Sequence, residues 1–283
     1  MSDENAVGET ISLEGRLTRK DLRGLRPRGA IRQFHAGRGC LFDIKKAREL
    51  CTWPSIQEVE LWCDVTKAAF RELMSVRGLE ELHVLNLRTH GGLQGMPLPA
   101  SLSTVGVGWA TSGDLQQIAR LTGLKSLRAE NSGLSTRAVS ALLEMDSLES
   151  LDLGASNLDD GLAETLSHSG SIQRLFIQGT RVTSSGLKRV CAMKQLRELD
   201  IWALRIEEKD LEMLSELPNL EYLSVGGYDN QTELTAEGVL PRIEKLPALK
   251  SIWLDGIRVP DADVSRLREK YEHVQVSFCD YSE

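Results

Sequence analysis

The apolar positions of this chain recur as a fixed phrase. Leu124, Leu148, Ile172, Leu196 and Leu220 stand 24 residues apart, and each opens the pattern apolar-x-x-apolar-x-apolar. Leu127/Ala129, Leu151/Leu153, Leu175/Ile177, Leu199/Ile201 and Leu223/Val225 complete it, and Leu249/Ile252/Leu254 repeat it after a longer step of 29 residues. Upstream, Leu102/Val105/Val107, Leu79/Leu82/Val84, Ile56/Val59/Leu61 and Ile31/Phe34/Ala36 follow at steps of 22–25 residues. Ile11 with Leu13 opens the series, and Val274 with Val276 closes it. The alternation predicts a half-buried strand, and a helix-period run follows most strands. Helices are expected over 135–145, 160–167, 185–193 and 207–217, with Thr18, Asp43, Ser135, Asp159 and Ser184 as N-caps. Neither element buries its apolar side alone, whereas stacked copies share one core. The expectation is a single domain over 1–283, of about 11 repeats plus a terminal strand, with residues 1–7 flexible. Alternating β and α would also suit a doubly wound sheet. A 24-residue period leaves room only for short strands and helices of roughly ten residues, which favours a solenoid.

The stretch 172–187, IQRLFIQGTRVTSSGL, resembles the LxxLxLxxTxVTDxGL phrase of ribonuclease-inhibitor-like and cysteine-containing leucine-rich repeats. The resemblance runs through essentially the whole chain. It implies an α/β leucine-rich repeat solenoid, a horseshoe with parallel strands on the concave face and helices on the convex face. Such a fold carries many binding roles, so function has to be read from particular residues. Two segments depart from the pattern. Between Leu87 and Leu102 the sequence RTHGGLQGMPLPAS is too rich in Gly and Pro for a regular helix. Its continuation, MPLPASLSTVGV, is similar to the helix-poor repeats of bacterial effector-type proteins, which implies a bacterial origin. The second departure, GGYDNQTELT at 226–235, lengthens the loop after the tenth strand, where binding residues often sit.

Counting the first phrase residue as slot one, slots three, five, seven and eight face away from the core. Four of the five tryptophans fall there, Trp62, Trp109, Trp202 and Trp253, together with Phe176, Tyr222 and Phe278. Glu14, Glu58, Glu60, Glu81, Glu130, Asp152, Glu198, Asp200 and Asp255 occupy slots three, five or seven, against only Arg128 and Arg174. Large side chains pack on strand neighbours in any sheet, and a charged sheet face is often only solvated. Tryptophans spread along many strands beside carboxylates instead suit a protein-binding surface with a basic partner. The expected partner-binding residues are Trp62, Trp109, Phe176, Asp200, Trp202, Tyr222, Trp253, Asp255, Glu58 and Glu60, with Asp200 and Trp202 exposed. Ribonuclease-inhibitor-like proteins cover a basic target in this way, so the resemblance implies the same logic.

Charge adds to this picture. The net charge is −7, but residues 1–50 carry +4 and the remainder −11. An acidic body repels phosphate backbones and anionic lipid, so neither nucleic acid nor membrane is expected as partner. The basic stretch 16–48 has 11 Lys/Arg and only Phe34 and Phe42 as Phe, Trp or Tyr residues. It reads as solvated helices or as a dock for an acidic partner. No run approaches the roughly 18 apolar residues of a membrane span, and the N-terminus lacks the form of a secretory signal. Five cysteines without C-x-x-C spacing suggest reduced thiols and a cytoplasmic location. Cys191 is expected in the core and Cys63 in an exposed slot.

The chain has no G-x-S-x-G elbow, H-E-x-x-H, phosphate loop or dinucleotide fingerprint. No cofactor is expected. His35, Glu60 and His83 share slot five of three successive strands, with Glu58 and Glu81 beside them in slot three. That row suits either a hydrogen-bonded ladder or a metal or acid–base centre. The leading functional reading is a non-catalytic, cytoplasmic protein-binding module serving as an inhibitor, immunity protein or adaptor. The alternatives are a substrate-recruiting subunit or effector of a larger complex, as in the F-box-associated repeat proteins this subclass resembles, and a metal-binding protein or metal-dependent enzyme centred on His35, Glu60 and His83.

Overall fold

A computed structural model describes residues 9–13, 19–24, 31–38, 41–53, 55–88, 93, 99–228 and 233–277. Residues 1–7, Glu14, Thr18, Cys40, Phe278 and Cys279 lie outside the described residues. The chain divides into two compact units, residues 1–129 and 130–283.

The first unit holds β1 (Glu9–Leu13), β2 (Ile31–Ala36), β3 (Leu41–Phe42), β4 (Glu58–Thr66), β5 (Glu81–Arg88), β6 (Thr104–Val107) and β7 (Ser126–Arg128). All pairs are parallel, in the order β1-β2-β4-β5-β6-β7, and β3 lies along the far half of β4. The second unit holds β8 (Ser150–Asp152), β9 (Arg174–Phe176), β10 (Glu198–Asp200), β11 (Tyr222–Gly226), β12 (Ser251–Asp255) and β13 (His273–Ser277), parallel and in chain order. The phrase residues align in register as expected. Leu151, Leu175, Leu199 and Leu223 form one fully buried row. Burying each such leucine contributes about 1.5–3 kcal/mol.

The helices of the first unit are α1 (Arg19–Gly24), α2 (Ile44–Leu50), α3 (Lys67–Leu73) and α4 (Ser112–Ile118). The second unit has α5 (Thr136–Leu143), α6 (Asp160–Leu166), α7 (Ser184–Val190), a 3₁₀ helix (Glu208–Glu216), α8 (Ala236–Ile243) and α9 (Asp261–Lys270). Asp43, Ser135 and Asp159 cap their helices as the sequence suggests. At α7 the cap is Thr183 rather than Ser184, because the Ser184 hydroxyl donates to the buried Asp210 instead. The segment expected as an α-helix over 207–217 is 3₁₀. Its buried leucines, Leu211, Leu214 and Leu217, are spaced by three, which matches three residues per turn.

The TSSG and TAEG steps have a physical cause. Asp160, in the first turn of α6, accepts from the N–H and hydroxyl of Thr183 and from the N–H of Gly186 in the next helix. Glu208 likewise accepts from the N–H and hydroxyl of Thr235, the cap of α8. A Cβ on Gly186 would stand 2.5 Å from Asp160 Oδ1, and one on Gly238 1.8 Å from Glu208 Cδ. Glycine at these places lets one repeat's carboxylate tie down the next repeat's helix start, where backbone donors lack partners.

Strand exits repeat as closely. Asn131, Ala155, Gly179 and Ala203 share slot eight and a left-handed φ of 53–62°. From there the N–H groups of Asn131, Ala155, Gly179 and Ala203 donate to the carbonyls of Gly154, Gln178, Trp202 and Gly226 at 2.8–3.0 Å. In the first unit Trp109 holds the same conformation, φ 61°.

No described residue between β5 and β6 is helical, in keeping with the Gly and Pro content there. Leu93 is anchored by Asp114, fully buried in α4, which accepts from the Leu93 N–H at 2.7 Å and closes a capping box with Thr111. No helix among the described residues is long and apolar enough to cross a membrane.

Candidate functional site

In each unit the phrase residues bury against the helices and leave the other face of the sheet open. On the first unit's open face, slot three reads Thr10, Gln33, Glu58, Glu81, Thr104, and slot five reads Ser12, His35, Glu60, His83, Gly106, Arg128. These polar groups largely satisfy one another. Thr10 donates to Gln33 at 2.6 Å, and Gln33 donates to Glu58 at 2.7 Å. His35 sits between two carboxylates, 3.5 Å from Glu58 and 3.4 Å from Glu60. His83 lies 3.8 Å from Glu81 and leans over the next strand, where a Cβ on Gly106 would come within 2.3 Å of its Nδ1. The two imidazoles therefore do not converge on one ion. Among the described residues no group of three or more His, Cys, Asp or Glu side chains is placed to hold a metal. Burial, followed by the Arg128 charge, holds the His83 pKa below the ordinary histidine value.

Cys63 corrects the slot count. Leu61 and Asp64 of β4 pair with Val84 and Asn86 of β5, so Trp62 and Cys63 together oppose Leu85. Alternation along β4 nevertheless runs unbroken to Thr66, which places slot eight on the core side. Trp62 stays outside at 39% exposure, while Cys63 turns inward and is 5% exposed. Cys191 is buried as expected, its thiol pushed up to about 12 by burial, and Cys51 is pushed up to about 11 by burial and Glu72. Neither is poised as a thiolate. Trp53, the fifth tryptophan, packs in the core edge-on to Phe34. In the basic stretch, Arg23 pairs with Glu49 at 3.0 Å and Arg48 with Glu72 at 3.5 Å, which supports the solvated-helix reading.

The second unit's open face differs. Slot three reads Ser150, Arg174, Glu198, Tyr222, Ser251, His273, and slot five reads Asp152, Phe176, Asp200, Ser224, Trp253, Gln275. Slot seven adds Gly154, Gln178, Trp202, Gly226 and Asp255. Trp253 is 38% exposed, and Phe176, Tyr222, Trp202 and Asp255 are half-buried. Asp200 is not the freely exposed acid its slot suggests. Its Oδ1 accepts from the Trp202 N–H at 2.9 Å, and the Ser224 hydroxyl also bonds to it. Burial raises its pKa above the usual carboxylate value. Asp152 does the same for the Gly154 N–H, also at 2.9 Å. Slot-five aspartates thus hold the strand exit, a two-residue link that alternation alone does not reveal. Glu198 and Asp255 make no side-chain hydrogen bond or ion pair with any described residue.

Tyr228 was not among the expected site residues. It stacks edge-on to Trp202 with centroids 4.6 Å apart, fixing the indole whose buried Nε1 has no partner. Its sequence signal was its place in the lengthened 226–235 loop. A cleft of roughly 550 Å³ beside this pair is lined by Gly179, Thr180, Arg205, Glu207, Tyr228 and Glu233, among others. Residues 229–232 of that loop are outside the described ones.

No protein-family model matches the chain, and no curated protein matches it either. Among solved structures it is similar to an internalin from Listeria monocytogenes strain 4b F2365. The two share 15% identity and a TM-score of 0.51, over 94% of this chain and 85% of the internalin chain. The repeated phrase, the parallel in-register strands, the helix behind most of them and this likeness make the fold an α/β leucine-rich repeat solenoid.

Proposed function

We propose that the chain is a non-catalytic protein-binding module whose principal contact surface is the open face of the second unit. The observation that carries this reading is the combination of half-buried or exposed aromatics with carboxylates that have no side-chain partner among the described residues. Trp253 and Tyr222 stand beside Asp255 and Glu198, and Trp202 is braced behind them by Tyr228. Aromatic side chains held rigidly and partly wet are the usual anchors of protein interfaces. Residues 130–283 carry 16 Lys/Arg against 27 Asp/Glu, so the complementary partner is basic. Trp62 and Trp109, with Glu58 and Glu60, have the same assignment in the first unit. There the two glutamates are already engaged with His35 and Gln33, so the tryptophans matter more. The non-catalytic part of the reading rests on the lack of nucleophile and phosphate-binding motifs in the sequence. A soluble inhibitor, immunity protein or adaptor in the cytoplasm is the corresponding role.

The test is affinity capture from the native cell with the full chain as bait, against a bait carrying Trp253→Ala and Asp255→Ala. Asp200 is left unchanged, because it holds the strand exit. A basic protein captured by wild type and lost from the double variant is the expected result. A partner captured equally by both moves the surface elsewhere.

A further inference from the structure

This inference rests on the second unit's face being a protein-binding surface, and specifies what that face takes. Beyond Tyr222, the middle strand β11 contributes only small residues to it, Ser224 and Gly226. Register places Asp200, Ser224 and Trp253 in one row. Two residues on, the Ala203 N–H to Gly226 carbonyl bond and the Gly226–Asp255 pair put Trp202, Gly226 and Asp255 in the next. The flanking strands therefore each present one indole and one carboxylate, in opposite order along the chain. Strands lie about 4.8 Å apart, so these two walls stand roughly 9–10 Å apart at the backbone, over a floor formed by the buried Ser224 and Gly226. Gly226 keeps that floor low by necessity, since a Cβ there would meet the Asp255 carbonyl oxygen at 1.8 Å.

The geometry points to this trough as a seat for an arginine side chain of a basic protein partner. A guanidinium is flat, weakly hydrated and forked, so it stacks on an indole face and bonds a carboxylate edge together. A lysine ammonium is a compact, strongly hydrated charge that gains less from such walls. Trp253 is the open wall, and Trp202 is the fixed one, held by Tyr228. Asp255 supplies a carboxylate that has no side-chain partner among the described residues. Asp200, already bonded to the Trp202 N–H and Ser224, supplies charge rather than a free edge.

The experiment is an anisotropy titration of labelled nona-arginine and nona-lysine into the full chain at about 0.15 M salt. Trp253→Leu and Asp255→Asn probe the trough. Glu237→Gln, an exposed acid on α8, is a control for loss of one charge elsewhere. Nona-arginine is expected to bind about fivefold or more tighter than nona-lysine, and each trough variant to weaken it about five- to tenfold. The control is expected to change binding less than about twofold. Equal affinity for the two peptides, equal loss in Glu237→Gln and Asp255→Asn, or no binding at all would overturn the assignment. Circular dichroism checks folding, and if Trp253→Leu unfolds the chain, the Asp255→Asn and Glu237→Gln comparison decides alone. A cellular partner whose capture depends on Trp253 and Asp255, without any preference for nona-arginine, would leave the binding-module reading standing and remove only the arginine seat.

Discussion

The two units are built from one repeat but use their polar residues differently. Residues 130–283 keep strict 24-residue steps until the tenth strand, strands of three to five residues and helix starts tied by the preceding repeat's carboxylate. Residues 1–129 have strands of up to nine residues, a bulge, an added strand and a Leu93 held by one buried aspartate. Their charges also oppose. The first unit has 18 Lys/Arg against 14 Asp/Glu, whereas the second has 16 against 27. On the first unit's open face acids meet histidines and amides. On the second, Glu198 and Asp255 are left without described partners beside aromatics. Acidic composition alone does not mark a binding face; what marks it is carboxylate that the fold itself has not engaged.

The largest effect is expected at the first unit's irregular segment. Asp114→Ala removes the acceptor for the Leu93 N–H and for the Thr111 N–H and hydroxyl, leaving the buried Leu93 N–H without it and opening the capping box. The cost is about 2–4 kcal/mol. Urea unfolding followed by circular dichroism reads it. We propose that both units unfold as one domain, so the single transition moves as a whole. Two separate transitions, with only one displaced, would divide the chain near residues 129 and 130.

A smaller effect separates the units by sign. Gly186→Ala in α7 forces a methyl against Asp160 Oδ1 and to 2.9 Å from Val182 Cγ1. The lost carboxylate bonds outweigh the gain in helix propensity, and a net loss of about 1 kcal/mol follows. Gly113→Ala in α4 meets only Thr111 Oγ1 at 3.8 Å, so there the propensity gain stands, about 0.5 kcal/mol of added stability. Pairing Gly186→Ala with Asp160→Ala in a double-mutant cycle should cancel most of the loss. An additive pair would mean that the carboxylate is not the cause.

These contrasts also show what the sequence makes legible. The strand register, the buried phrase residues and the caps Asp43, Ser135 and Asp159 follow from local periodicity and short-range chemistry. The run of β4 on to Thr66, which turns Cys63 in, does not, because the same slot ends the strand in the repeats of the second unit. Thr183 displaces Ser184 as cap only because Asp210, 26 positions away, takes the Ser184 hydroxyl. Asp114 and Tyr228 escape for the same reason, since their partners come from other segments. At the candidate site the aromatic slots were legible, while the engagement of Asp152 and Asp200 with backbone was not.

Trp109 gives a smaller effect. Its left-handed backbone, φ 61°, is shared by Asn131 in the next repeat, yet Trp109 is 61% exposed and contributes little to the core. Trp109→Asn should leave stability unchanged or raise it by up to about 1 kcal/mol, because asparagine tolerates this conformation better. A thermal melt checks this. A loss above about 1 kcal/mol would show that the indole packs as structure, and would withdraw it from the proposed contact surface.

The smallest effect is a difference in acid response. Burial and Arg128 depress the His83 pKa in the folded chain, although Glu60 and Glu58 pull the other way. The unfolded chain then binds a proton at the ordinary histidine value while the folded chain resists it. Stability falls as pH drops through the ordinary histidine value towards the lower folded one. His83→Gln should flatten the change in urea midpoint between about pH 7.5 and 5.5. Asp200 works in the opposite sense and lower on the scale. Burial raises its folded pKa, so the folded chain takes the proton first and stability is regained as pH falls through that value. Asp200→Asn keeps an oxygen for the Trp202 N–H and should remove this gain with little other change. If instead His83→Gln leaves the neutral-to-mildly-acid slope intact, His83 is not its source.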